Sequence, residues 1–171
     1  MFRILAVVFL VMGRAIAQVG ELVEISYWVD PCPPVESACR ATDRELAEWS
    51  IQAWEAAGKG AIRVTKAVSR EKALLRLRWV TQKDGLYGEA RPILVNGRRG
   101  AELFIRPEMD GLGVEIAAAA SKDALLRDAI VYLTCLHESG HGLGLPHTSR
   151  FEDIMYSFGN GGDIREYFGR Y

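Results

Sequence analysis

Every histidine of this chain lies in one stretch, "TCLHESGHGLGLPHT", from Thr134 to Thr148. That clustering is the strongest constraint on the fold. His137 and His141 stand four apart on a predicted helix, so both imidazoles project from one face. This lets two nitrogens reach one ion at ~2.0–2.1 Å. Glu138 is offset around the same helix, beside such an ion but out of a ligand position. Gly142 and Gly144 allow the helix to stop and the backbone to reverse, and His147 then returns as a third ligand. Three neutral nitrogens leave a coordination position open to water, which marks a catalytic zinc site rather than a structural one. Cys135, the only nearby thiol, points to roughly the opposite helix face from His137. Between Leu133 and Leu136 it reads as a buried, inert thiol.

The rest of the chain supplies a scaffold for that helix. "VEISYWV" (Val23 to Val29) reads as a strand, closed by Asp30-Pro31 and a proline-rich cysteine loop. A helix is expected from about Asp43 to Ala57, with Leu46, Trp49, Ala53 and Trp54 at helical spacing, stopped by Gly58 and Gly60. "AIRVTKAV" and "LLRLRWV" read as strands, the second alternating Leu75, Leu77 and Trp79 with Arg76 and Arg78. "LYGEAR" (Leu86 to Arg91) and "AELFIR" read as two further short strands separated by the turn-rich "NGRRG". Ser121 is the expected N-cap of the histidine helix, with Asp123 in its first turn. A last short helix is expected within "GDIREYFGRY".

"HESGHGLGLPH" matches H-E-x-x-H-x-x-G-x-x-H, the signature of the metzincin zinc proteases. Met155 in "FEDIMYS" follows His147 by eight residues, and that interval, with Thr148 after the third histidine, resembles the matrixin branch. The element order is similar to a matrixin catalytic domain over most of residues 20–171. The competing reading is an accidental match on a core helix. The joint register of three histidines, Gly144 and Met155 opposes it. The resemblance implies an α+β, zincin-like fold: a twisted, mostly parallel five-stranded sheet with one antiparallel edge strand. The active-site helix packs on that sheet, and a small C-terminal subdomain ends in a helix. It also implies one catalytic Zn2+ held by His137, His141 and His147, with Glu138 as general base. Gly144 and Met155 are supporting residues, Met155 packing beneath the histidines. Tyr156 is a candidate for the pocket that takes the side chain after the cut bond. The matrixin structural zinc needs three further histidines, and none remains. No "PRCG"-like cysteine switch precedes the first strand. Ca2+ binding is possible but unassigned, although acidic residues such as Asp110 are available.

The N-terminal residues carry a different message. Arg3, the apolar run "ILAVVFLVM" and the small-x-small "AIA" at Ala15 to Ala17 form a signal-peptide pattern. That run is too short to span a bilayer, which needs ~20 residues. Residues 1–17 are therefore expected to be a signal peptide and 18–171 a metalloprotease catalytic domain, secreted or extracellular (or periplasmic). Removing Arg3 and Arg14 from 21 basic and 22 acidic residues leaves 19 − 22 = −3. That balance suggests neither nucleic acid nor an anionic membrane as partner. In an oxidising compartment Cys32 and Cys39 form a candidate disulfide, though sequence alone does not fix the pairing.

The expected function is a secreted, zinc-dependent endopeptidase. Its partner is a protein or peptide substrate which, by resemblance, lies extended along the edge strand "LYGEAR". A monomer is expected. The alternative is a secreted zinc-binding interaction module without proteolytic activity. Glu138 discriminates, because a scaffold that only binds metal has little need of a carboxylate there. A purely structural metal protein would want a fourth protein ligand.

Overall fold

The computed structural model of the chain describes residues 22–33, 38–81 and 87–170. The expected signal segment, 1–17, and Leu86 of the expected edge strand lie outside these residues. The described chain is α+β. Five strands, β1 (Val23–Val29), β2 (Ile62–Lys66), β3 (Leu75–Trp79), β4 (Gly88–Val95) and β5 (Arg98–Ile105), form one sheet in the order β2-β1-β3-β5-β4. All neighbours are parallel except β4 and β5. Four helices accompany the sheet: α1 (Asp43–Ala57), α2 (Val114–Lys122), α3 (Ala124–Gly142) and α4 (Ile164–Gly169).

The strands alternate, and the alternation decides which face is covered. Tyr27 and Val29 of β1, Leu75, Leu77 and Trp79 of β3, and Leu103 and Ile105 of β5 are buried together against Ala47 and Ile51 of α1 and Val131 and Cys135 of α3. Arg76, Arg78 and Phe104 occupy the intervening positions, and the Arg91 guanidinium lies over the Phe104 ring at 4.6 Å. Helices thus cover one sheet face only.

A buried ion pair locks the helical layer to the cysteine loop. Asp43 is fully buried and receives hydrogen bonds from the Arg127 guanidinium of α3 and, at 2.8 Å, from the Arg40 amide. Arg127 also donates to the Ala38 carbonyl at 3.1 Å. Cys32 and Cys39 form a disulfide across this loop.

Three local readings need correction. Ser121 is not the N-cap of the histidine helix: it sits in the last turn of α2, with its hydroxyl bonded to the Ala118 carbonyl. Asp123 is the cap, accepting from the Leu125 and Leu126 amides at 3.0 and 3.1 Å. An ionised carboxylate facing two orphan amides outcompetes a hydroxyl that already has an acceptor within its own helix. Helix α2 itself was not expected. Finally, β4 and β5 run further than "LYGEAR" and "AELFIR", because the turn between them is only Asn96-Gly97. Both residues adopt positive φ, 50° and 77°, as a two-residue type I′ hairpin turn requires. Pro92 is tolerated because β4 is an edge strand.

Candidate metal centre

Helix α3 carries His137, Glu138 and His141 in its last two turns, where packing around two glycines sets its position. A Cβ on Gly140 would lie 2.5 Å from Met155 Sδ and 2.9 Å from Trp54 Cζ2. The bare backbone therefore lets Met155 and Trp54 press against the helix beside the histidine face. A Cβ on Gly142 would lie 2.7 Å from Leu75 Cδ2, so this residue brings the end of α3 onto the sheet. The helix then stops. The Gly144 amide donates to the His141 carbonyl at 2.9 Å and that of Leu145 to the Gly140 carbonyl at 3.0 Å. Gly144 has φ +94°, which favours glycine. The reversal carries His147 back over the helix.

The three side chains converge. His147 Nε2 lies 3.2 Å from His137 Nε2 and 3.1 Å from His141 Nε2. His137 Nδ1 donates to the Ile154 carbonyl at 2.6 Å, and His141 Nδ1 to the Leu145 carbonyl at 2.8 Å. A carbonyl only accepts, so in the neutral rings both Nε2 atoms are bare lone pairs. His147 Nε2 carries at most one hydrogen and can satisfy one of these two neighbours. A cation at the common point satisfies all three. Ligand distances of ~2.0–2.1 Å in a tetrahedral site separate the nitrogens by about 3.3 Å, close to the two separations from His147, and all three ligand atoms lie within 4.8 Å of one another. The donor set therefore fits a metal ion, and the carbonyls supply the kind of outer hydrogen bonds that orient metal-binding imidazoles.

The loop after His147 presents one of these carbonyls. Thr148 and Tyr156 form a bridge in which the Thr148 amide donates to the Met155 carbonyl at 2.8 Å and the Ser157 amide to the Thr148 carbonyl at 3.1 Å. Asp153 organises the bend. Its carboxylate accepts from the Met155 amide at 2.9 Å and from Arg150 at 3.1 Å, interactions that hold its pKa below the usual carboxylate value. Ile154 lies inside that bend, which aims its carbonyl at His137. Sequence reasoning missed Asp153, although an Asp two residues before a turn amide is a recognisable signal.

Glu138 is 7% exposed and makes no hydrogen bond or ion pair among the described residues. Burial, reinforced by the charge of Glu89, raises its carboxyl to about 7. A bound cation would pull this value down again. Glu138 lies against the edge strand, where a Cβ on Gly88 would come within 2.5 Å of its Oε1. Gly88 was the second residue missed: its contact is long-range, and "YGE" carries no periodic signal. Burial lowers His137 to about 4 and also depresses His147.

No family model and no curated protein matches this chain. The likeness to metzincins therefore rests on the motif residues themselves.

His137, His141 and His147 form a group able to hold a metal ion. Glu138 shares a cavity of about 390 Å³ with His137, His147, Gly88 and Tyr156, its floor made by aromatic residues including Tyr167 and Phe168. Tyr156 is buried, with its hydroxyl donating to the Gly161 carbonyl at 2.6 Å. Met155 is buried behind the histidine helix. Cys135 lies in the sheet-side core, away from the histidines, and burial pushes its thiol pKa up. The carboxylate of Asp110 is taken by Arg106 at 2.5 Å. No described helix is long and apolar enough to cross a membrane.

Proposed function

We propose that this protein is a secreted, zinc-dependent endopeptidase of metzincin type with a zincin-like, matrixin-related fold. The observation that carries the reading is the buried, unpartnered Glu138 carboxylate beside three converging imidazole lone pairs, facing an open cavity. A structural site has no use for such a group.

His137, His141 and His147 would hold the ion, whose Lewis acidity acidifies water and polarises a carbonyl. Glu138 accepts the proton of the attacking water as its oxygen bonds to the scissile carbon. It then delivers that proton to the departing amine nitrogen as the C–N bond breaks. The extended substrate adds to the free edge of β4, where strand alternation leaves the main-chain groups of residues 88, 90 and 94 unpaired with β5. The aromatic cavity beside Glu138 takes the side chain that follows the cut bond.

Peptide-library cleavage by purified protein tests the reading, with Glu138→Ala as control and metal content measured on both. The expected result is cleavage by the wild type, about one zinc per chain in both proteins, and turnover lost in the variant. Zinc bound by both, with no cleavage across a broad library, would favour the binding module instead.

A further inference from the structure

On the far side of the histidines from the aromatic cavity lies a second concavity of about 300 Å³. Its walls are Ala90 and Pro92 of β4, Ala101 of β5, and His141 and Gly142 at the end of α3, with Arg99 at its rim. In the β4–β5 register Arg99 pairs with Leu94, so both lie on the helix-facing side of the sheet, just beyond the last turn of α3. His141 has both ring nitrogens engaged, one with Leu145 and one in the metal cluster. Arg99 is thus the only Lys, Arg, Asp or Glu side chain among the described residues of the lining. Its guanidinium makes no ion pair or hydrogen bond among the described residues, and no carboxylate lines the concavity. Other arginines on or beside this sheet are committed: Arg70, in the turn before β3, pairs with Glu102, Arg78 with Asp30, Arg91 with Glu89.

We propose that Arg99 determines specificity as the cationic end of a subsite for an acidic side chain of the substrate. The inference rests on the peptidase reading above and names a substrate class for it. Gly88 touches Glu138, whereas Ala90 and Pro92 line the second concavity. At ~3.4 Å per residue these points are separated by roughly 10 Å, or about three residues of extended peptide. With the aromatic cavity taking the side chain after the cut, the Arg99 subsite takes one that precedes it by two or three residues. A guanidinium offers a planar fork of donors that matches a carboxylate, and small apolar walls present no competing acceptor side chain.

The test places Glu, Gln or Lys in turn at each position preceding the cut of a cleaved peptide. kcat/KM is measured for wild type, Arg99→Ala and Arg99→Glu, and the same peptides are titrated calorimetrically into zinc-loaded Glu138→Gln, where binding needs no turnover. At one position the wild type prefers Glu over Gln about fivefold. Arg99→Ala brings that ratio close to one, and Arg99→Glu turns it towards Lys. Higher salt weakens the preference, because the pair is exposed. A wild type without Glu preference at any position, or a preference that survives Arg99→Ala, overturns the assignment. Failure of the peptidase reading is distinct, because no peptide is then cut. In that case equal or undetectable binding of the Glu and Gln peptides still overturns the subsite.

Discussion

Helix α3 serves two regions built on different principles. Towards the sheet it buries Val131 and Cys135 among strand side chains such as Leu77 and Leu103, a core of apolar contacts bordered by the buried Asp43–Arg127 ion pair. Towards the C-terminus it meets a segment, 143–163, with no α-helix or strand of its own. That segment is ordered by the Gly144 reversal, the Thr148–Tyr156 bridge, the Asp153 bend and edge-to-face rings such as Phe151 on Tyr156. The first region follows from apolar burial and that one ion pair. Under the proposed reading, the second would be completed by one ion at the point where the three Nε2 atoms meet. A single helix therefore connects an apolar core to a loop that presents a candidate metal ligand.

That contrast breaks if the two regions fail to separate under substitution. The largest effects belong to the sheet side. Arg127→Ala leaves Asp43 buried without its partner and should cost about 3–5 kcal/mol in denaturant melts. Leu77→Ala should cost about 2–5 kcal/mol by opening a cavity. In both, zinc affinity of the folded fraction should stay within about twofold. On the loop side, zinc at 1,000 times its Kd should raise stability by about 4 kcal/mol. The gain in amide-exchange protection should concentrate in residues 143–157. Uniform protection across β3 and β5 with none in the loop would contradict the division.

The metal-free protein sharpens the comparison through pH. Burial depresses His137 from 6.5 to about 4, so its contribution is intact above 6.5 and is lost as pH falls towards 4. Glu138 is raised from 4.5 to about 7, so its contribution is intact below 4.5 and is lost as pH rises through 7. Between 4.5 and 6.5 the two slopes oppose each other. Metal-free Glu138→Gln should therefore melt higher than wild type above pH 7, by roughly 1–3 kcal/mol, and lose that advantage near pH 4. Melting curves across this range check the sign.

How much of this was readable in sequence depends on the range of each interaction. β1 and α1 appear with the expected residues because alternation and helical spacing are local patterns. The histidine motif was readable for the same reason, its ligand spacing lying within one helix and one turn. Helix α2 was missed because "VEIAAAASK" offers an alanine run with little polar punctuation, and its start at Gly113, φ +99°, gives no side-chain cap. Gly88 and Asp153 were missed because their roles exist only once β4 and the post-histidine loop are brought against α3.

Those two residues give the smaller predictions. Asp153→Ala frees the Met155 amide and loosens the Ile154 carbonyl that holds His137, so zinc affinity should fall 10- to 100-fold in competition titrations. Gly88→Ala displaces Glu138 and not the ligands. It should lower kcat about tenfold, an effect sized by analogy with general-base catalysis, while zinc affinity stays within about twofold. Equal losses of kcat and affinity would show that base and ligands are not separately positioned.

The proposed site is one ion held by three imidazoles with a position left for chemistry. X-ray absorption at the zinc edge of loaded protein tests it most directly. Three imidazole nitrogens are expected at ~2.0–2.1 Å, plus one light, exchangeable ligand that a chelating peptide hydroxamate displaces. A sulfur neighbour at ~2.3 Å, or a fourth protein ligand that the hydroxamate leaves in place, would contradict it.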